Sequence, residues 1–131
     1  MNEFINEAKN SGLIKNIIYN YNVLKSSTII KDGIKNIKLI TNWIKETINK
    51  DEIIFELIFK MSENGKKSED FHKYCDNKGP TLALVKTTKN KIFGGFTPLN
   101  WLTEGNGAND PSNQTFIFSL NLKKNIICLK K

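Results

Sequence analysis

Two runs rich in β-branched and aromatic residues, 81–88 and 91–97, stand on either side of Lys89-Asn90, and nothing else in the chain constrains its fold so tightly. Runs of this composition around a short polar break predict an antiparallel hairpin. Just upstream, Ser68 is a favourable N-cap, and Glu69 and Asp70 suit the positive end of a helix dipole. Phe71, Tyr74 and Cys75 fall on one face at i, i+3 and i+4, so a short helix with a buried face is expected at 69–75. Asp76-Asn77-Lys78-Gly79-Pro80 ends it, because Gly79 accepts a backbone angle that side chains resist and Pro80 cannot continue a helix.

Around the hairpin the periodicity changes several times. Phe4, Ile5 and Ala8, then Leu13, Ile14, Ile17, Ile18, Tyr21 and Leu24, recur at helical spacing with a break at Ser11-Gly12. Residues 1–27 therefore read as a helical extension whose apolar face packs within the chain, and 26–30 as a short strand. Ile34, Ile37, Ile40, Ile44 and Ile48 mark an amphipathic helix bordered by Trp43, with Asp32 as a cap and Asn49-Lys50-Asp51 as a stop. From 52 to 61 the period becomes two: Ile53, Phe55, Leu57, Phe59 and Met61 lie on one side, and Glu52, Glu56 and Lys60 on the other. That pattern predicts a half-buried strand, followed by a polar turn around Gly65. Residues 102–113, with Gly105, Gly107, Asp110 and Pro111, read as a loop. Phe116, Phe118 and Leu120 alternate with Ile117 and Ser119, and 125–129 predict a further strand. The expected class is α+β, an antiparallel sheet packed against helices at about 34–48 and 69–75.

The 131 residues and 39% hydrophobic content suit one soluble domain with a modest core. No apolar run approaches the roughly 20 residues that cross a bilayer, and Met1-Asn2-Glu3-Phe4 lacks the basic and apolar pattern of a secretory signal. Cys75 and Cys128 are too few for a disulfide scaffold. A cytoplasmic location is expected. The net charge of +7 raises binding to polyanions. Yet all twenty basic residues are lysine, dispersed from Lys9 to Lys131, and the arginine that grips phosphate or guanine with two bonds is absent. A solvated basic surface is the preferred reading, with no specific nucleic acid.

For chemistry, His72 and Cys75 at i and i+3 form the strongest pair, since a thiolate beside an imidazole is a nucleophile or two metal ligands. Structural zinc needs four such ligands, and the chain has one histidine and one other thiol. Cys75 shares the helix face of Phe71, which favours a buried structural cysteine, and His72 is expected to cap or bond a loop. The carboxylates of Asp51-Glu52 and Glu69-Asp70 are adjacent and point apart, so they are not acid–base dyads. Phe93-Gly94-Gly95-Phe96 suggests a phosphate cradle or a base-stacking strand. No helical pattern follows it, however. The preferred reading is that Gly94 and Gly95 permit a bulge or close backbone contact while both phenylalanines enter the core. Trp101 reads as a packing anchor.

In order, then, stand an aromatic-histidine pair (Phe71, His72), a Cys75-Asp76 turn, Gly79-Pro80-Thr81 at a strand start, Phe93-Gly94-Gly95-Phe96, Trp101, and Thr115-Phe116-Ile117-Phe118-Ser119-Leu120. In that order and spacing, over 28–122, they resemble the signature core of the TLDc domain of eukaryotic oxidation-resistance-type proteins, in a form similar to those of unicellular eukaryotes. The resemblance implies that 28–131 hold the N-terminal part of a β-sandwich without its further strands and glycine-rich stretch, either as a truncated domain or as a fragment of a longer one. Half a sandwich leaves strand edges and a core face open to self-association. The resemblance also implies no catalytic residue, cofactor or metal. It implies instead a part in oxidative-stress protection and contact with peripheral subunits of the vacuolar proton-pumping ATPase (V-ATPase). A non-catalytic protein-interaction module is the expected function; a basic nucleic-acid-binding module is the alternative, and a redox-active thiol protein comes third.

Overall fold

A computed structural model describes residues 34–103 and 109–127. The expected N-terminal helical pieces, the strand at 26–30, the Asp32 cap and Cys128 lie outside the described residues. The chain divides into two compact units, Met1–Glu56 and Leu57–Lys131.

In the first unit, helix α1 (Ile34–Ile48) follows the isoleucine spacing, and Ile37, Ile40 and Ile44 are buried. A stripe at i, i+3 and i+7 covers one side of a helix, which is why these three share that fate. The Thr41 hydroxyl donates back to the Ile37 carbonyl at 2.7 Å, so a residue of poor helix propensity spends its polar group inside the helix. The stop falls where expected. Asn49 takes a left-handed φ of 52°, and the Lys50 N–H donates to the Lys45 carbonyl at 3.1 Å, closing the last turn in a Schellman-type arrangement.

Residues 52–60 are the main correction to the sequence reading: they form neither strand nor helix. Ile53 and Phe55 are half-buried, but Leu57 and Met61 are exposed. Alternation predicts which side chains an extended segment can bury, and here only part of the expected apolar side is covered. The turn expected at 62–67 begins instead as a helical turn, α2 (Met61–Asn64), where the Lys60 N–H donates to Asn64 Oδ1 at 2.7 Å. Helix α3 (Ser68–Cys75) also differs in its cap. Ser68 is the first helical residue rather than the cap, and Asp70 closes the end from inside by accepting the Lys67 N–H at 3.1 Å.

The second unit is built on a four-stranded antiparallel sheet, β1 (Thr81–Lys86), β2 (Ile92–Thr97), β3 (Phe116–Ser119) and β4 (Lys124–Ile127), in the order β1-β2-β3-β4. With the helices this is an α+β fold. The hairpin strands are shorter than the runs that predicted them, because Thr87 and Lys91 close the connection. The Thr87 N–H donates to the Lys91 carbonyl at 2.9 Å, Lys91 N–H returns to Thr87 Oγ1 at 3.1 Å, and Asn90 turns the chain at φ 59°.

Register separates the two faces. Leu82 pairs with Phe96, Phe96 with Phe116, and Gly94 with Phe118, so these residues share one face. Phe96, Phe116 and Phe118 are buried, with ring centroids of Phe96 and Phe116 5.5 Å apart and of Phe116 and Phe118 6.2 Å apart. No bulge interrupts β2. Gly94 instead provides the close contact, for a Cβ there would collide with the Ala83 carbonyl oxygen and lie 2.8 Å from Phe118 Cζ. The expectation that Phe93 enters the core with Phe96 is overturned. Three residues apart on a strand means opposite faces, and Phe93 is 44% exposed.

Candidate functional site

Of the residues singled out in the sequence, Phe71, His72, Cys75, Gly79, Pro80 and Trp101 lie at the junction where α3 hands over to β1. Phe71, on the helix face with Tyr74 and Cys75, meets Phe59 edge-on at 5.6 Å and Trp101 edge-on at 5.3 Å; Tyr74 lies 6.1 Å from Phe59. Edge-to-face rings add about 0.5–1.5 kcal/mol each beyond the area they bury. One turn on, His72 Nδ1 lies 2.7 Å from Asp76 Oδ1. The other Asp76 oxygen accepts the Thr103 hydroxyl, and an isolated parallel bridge joins Asp76 to Trp101, with the Asn77 N–H donating to the Trp101 carbonyl at 3.1 Å. The Thr103 bond first, then the hydrogen bond and charge of His72, holds the Asp76 carboxyl below its ordinary range.

The turn residues complete this clamp. Asn77 and Gly79 take left-handed φ values of 58° and 74°, as Gly79 was expected to do, and the Gly79 N–H donates to Asn100 Oδ1 at 2.7 Å. Pro80, exposed, leads into β1. Trp101 Nε1 donates to Thr81 Oγ1 at 2.9 Å, so its ring is held from both sides, by Phe71 and by the first residue of the sheet. His72 and Thr103 thus bond Asp76, Trp101 bonds Thr81 and the Asn77 N–H, and Asn100 bonds the Gly79 N–H. Residues 76–81 and 100–103 become a single clasp between helix and sheet.

Cys75, 4% exposed, sits beneath the clasp, and its thiol is pushed up, by burial first and by the Asp76 charge second. A thiol held protonated is a poor nucleophile, and His72 spends Nδ1 on Asp76. Among the described residues no group of three or more His, Cys, Asp or Glu side chains is placed to hold a metal ion, and no helix is long and apolar enough to cross a membrane.

Sequence reasoning named Asp76 only as part of a turn and missed Asn100 and Thr103, single polar residues in segments read as turn and loop. It also missed Asp110, whose carboxylate accepts the N–H groups of Ser112 at 2.9 Å, Gln114 at 2.8 Å and Thr115 at 2.7 Å and the Thr115 hydroxyl at 2.8 Å. Those bonds, that from the Ser112 hydroxyl foremost, hold its pKa far below the ordinary carboxylate range. The Asp-Pro-Ser sequence was the available signal, since Asp before a turn bonds the backbone that follows it.

Gly95, Phe116 and Phe118 lie away from the clasp. Gly95 faces outward, opposite the two phenylalanines. That outer face carries Ala83, Val85, Phe93, Ile117 and Ile126, which register places in neighbouring rows: Ala83, Gly95, Ile117 and Ile126 in one, Val85, Phe93, Ser119 and Lys124 in the next. Val85 is 43% exposed, Ile117 53% and Ile126 65%.

Comparison with known proteins bears on the family. The TLDc domain family model matches residues 23–131. TBC1 domain family member 24 of Xenopus laevis is 29% identical over 92 residues, covering 67% of this chain and 16% of that protein. The same-named protein of Xenopus tropicalis is 28% identical over an equal length. MTOR-associated protein MEAK7 of Danio rerio is 32% identical over 66 residues, covering 50% of this chain and 14% of that protein. The chain therefore spans about one sixth of the length of these relatives or less. With the family match extending over most of its length, the chain belongs to the TLDc domain family.

Proposed function

We propose that this chain is a non-catalytic protein-interaction module acting in the cytoplasm, with peripheral subunits of the V-ATPase as its partner and oxidative-stress protection as its setting. The observation that carries the reading is the clasp. The polar side chains that could do chemistry, His72 and Asp76 above all, are engaged with Thr103 and the backbone of the helix-to-sheet junction, and the neighbouring thiol is buried. A scaffold that consumes its own polar groups serves by presenting a surface. Association with another protein is also named in the relative MTOR-associated protein MEAK7, which supports a contact role rather than a reaction. The partner itself rests on the family resemblance.

Affinity capture with the full chain from lysate, followed by quantification of V-ATPase peripheral subunits, tests the reading. Recovery above that of an unrelated basic protein is expected at physiological salt. Equal recovery would remove this partner, and turnover of a thioester or peroxide substrate that is lost in C75S would remove the non-catalytic reading. A nucleic-acid-binding module is the second reading, favoured by the exposed Phe93 ring on a sheet face in the same cross-strand row as Lys124. It requires binding to single-stranded RNA that weakens steeply with salt and is lost in F93S.

A further inference from the structure

The outer face of the sheet is an apolar surface with a one-signed rim. In residues 81–97 and 115–127 there is no aspartate or glutamate, while Lys86, Lys89, Lys91, Lys123 and Lys124 are present. Lys89 and Lys91 lie in the β1–β2 connection and Lys123 in the β3–β4 connection. Lys124 sits on the outer face in the row of Val85 and Phe93. Those four exposed lysines gather at one end of the sheet, beside the Phe93 ring. None of them has an ion-pair partner among the described residues.

The shape of the face is as informative as its charge. Ala83 and Gly95 are cross-strand partners, so a methyl group and a bare backbone lie side by side, flanked by Val85 and Phe93 along the strands and by Ile117 across them. A low spot with apolar walls receives a side chain from a packed element. A bilayer instead takes apolar groups that protrude beyond their surroundings. Base stacking uses two or three rings on a sheet face, and the outer face offers one. A second copy stacked with its strands running the same way would bring the same lysines together, which like-charge repulsion opposes, and stacked the other way it offers the lysine end no carboxylate from residues 81–97 or 115–127. The element that covers a sheet face without needing the sheet's edge is a helix, whose backbone bonds are satisfied internally.

We propose that the outer face, built from Val85, Phe93, Ile117 and Ile126 with Lys89, Lys91, Lys123 and Lys124 at its end, docks an amphipathic helix of another protein whose apolar stripe is flanked by aspartate and glutamate. The proposal rests on the interaction-module reading and names the chemistry of the partner. The helix lays its stripe over Ala83 and Gly95, and its carboxylates meet the lysine end, which steers the encounter and sets the direction of docking.

The test uses the full chain and a fluorescein-labelled peptide of roughly 18 residues, about five helical turns, with leucines at i, i+3, i+4 and i+7 spacing and glutamates elsewhere. Fluorescence anisotropy is read at low and physiological salt. Binding by the wild type is expected, with at least a tenfold loss in F93S/I117T and a comparable loss in K89E/K91E/K123E/K124E. A peptide with lysine in place of glutamate should not bind. All substituted side chains are exposed, and unchanged circular dichroism and denaturation midpoints show that the variants remain folded. Loss of binding only in the charge variant would overturn the proposal in favour of simple polyanion attraction. A wild-type dimer in sedimentation that F93S/I117T dissolves would give the face to a second copy. Tighter, face-dependent binding to phosphatidylserine vesicles would give it to a membrane. The two readings fail separately: undiminished capture of V-ATPase subunits by F93S/I117T refutes the face and leaves the module, whereas peptide binding with no subunit capture refutes that partner and leaves the face.

Discussion

Gly94 and Gly95 are adjacent, identical and equally glycine-like in the sequence, yet the sheet treats them differently, and substituting each by alanine separates the consequences. At Gly94 the new methyl group runs into the Ala83 carbonyl oxygen of the neighbouring strand and comes within 2.8 Å of Phe118 Cζ, a ring that is itself buried. Relief requires β1 to move away from β2 or the Phe118 ring to leave its position against Phe116. Overpacking of this kind costs roughly 1–3 kcal/mol, and loosening one ladder hydrogen bond adds about 1 kcal/mol. Against this stands a gain of roughly 0.5–1 kcal/mol for replacing glycine within a strand. The net expectation for G94A is a loss of about 1–3 kcal/mol. At Gly95 the nearest atoms are the Phe116 carbonyl oxygen at 3.3 Å and Ile117 Cγ2 at 3.7 Å, on the open outer face. The small adjustment needed there offsets the propensity gain, so G95A should stay within ~0.5 kcal/mol of wild type. Urea denaturation followed by circular dichroism measures both. With slopes of roughly 1–3 kcal/mol/M, the G94A midpoint should fall by on the order of 1 M and that of G95A should barely move. Equal midpoints for the two variants, or a larger loss in G95A, would refute the assignment of Gly94 to a close approach between strands.

Three further outcomes are expected. F116A removes a fully buried ring that packs on Phe96 and Phe118 and should cost about 3–5 kcal/mol in the same denaturation experiment; a loss under ~1 kcal/mol would show that the aromatic face is not the core. The Asp76 carboxyl has a folded pKa below the unfolded value of about 3.9, so its contribution is present above that pH and is lost as the pH falls through the lower folded value. D76N and T103A should therefore show a shallower loss of stability than wild type as the pH falls below about 4, and parallel acid curves would contradict the clasp. In C128S, labelling of Cys75 by a thiol reagent should rise only as urea opens the fold, whereas fast labelling in native buffer would place the thiol at the surface.

Much of the architecture could be read from local patterns because the cause was local. The isoleucines of α1 recur at helical spacing, Asn49 is one of the few residues that tolerates a left-handed φ, and both places agree with the structure. The hairpin was equally visible. Gly79 was legible for the same reason as Asn49, since its requirement is set by its own backbone. Residues 52–61 departed from the strand reading because alternation does not fix which side chains the fold covers: Leu57 and Met61, on the expected apolar side, are exposed. The cap of α3 fell one residue earlier than expected, because Ser68 is already helical and Asp70, at the third helical position, accepts the Lys67 N–H. The clasp was half visible. His72, Cys75 and Trp101 were conspicuous as rare residues, but Asp76, Asn100 and Thr103 are ordinary polar residues that acquire meaning only when 76–81 meets 100–103.

The amino-acid order alone determined the helix at 34–48, the hairpin, the break at 76–80 and the family kinship, all of which depend on residues near one another or on a motif of set spacing. Tertiary structure decided that Phe96 and not Phe93 faces the core, that Gly94 and not Gly95 meets the neighbouring strand, and that Asp76 also takes the Thr103 hydroxyl. Those outcomes turn on which strands become neighbours and in what register, and a register is a relation between distant segments that no single stretch of chain contains.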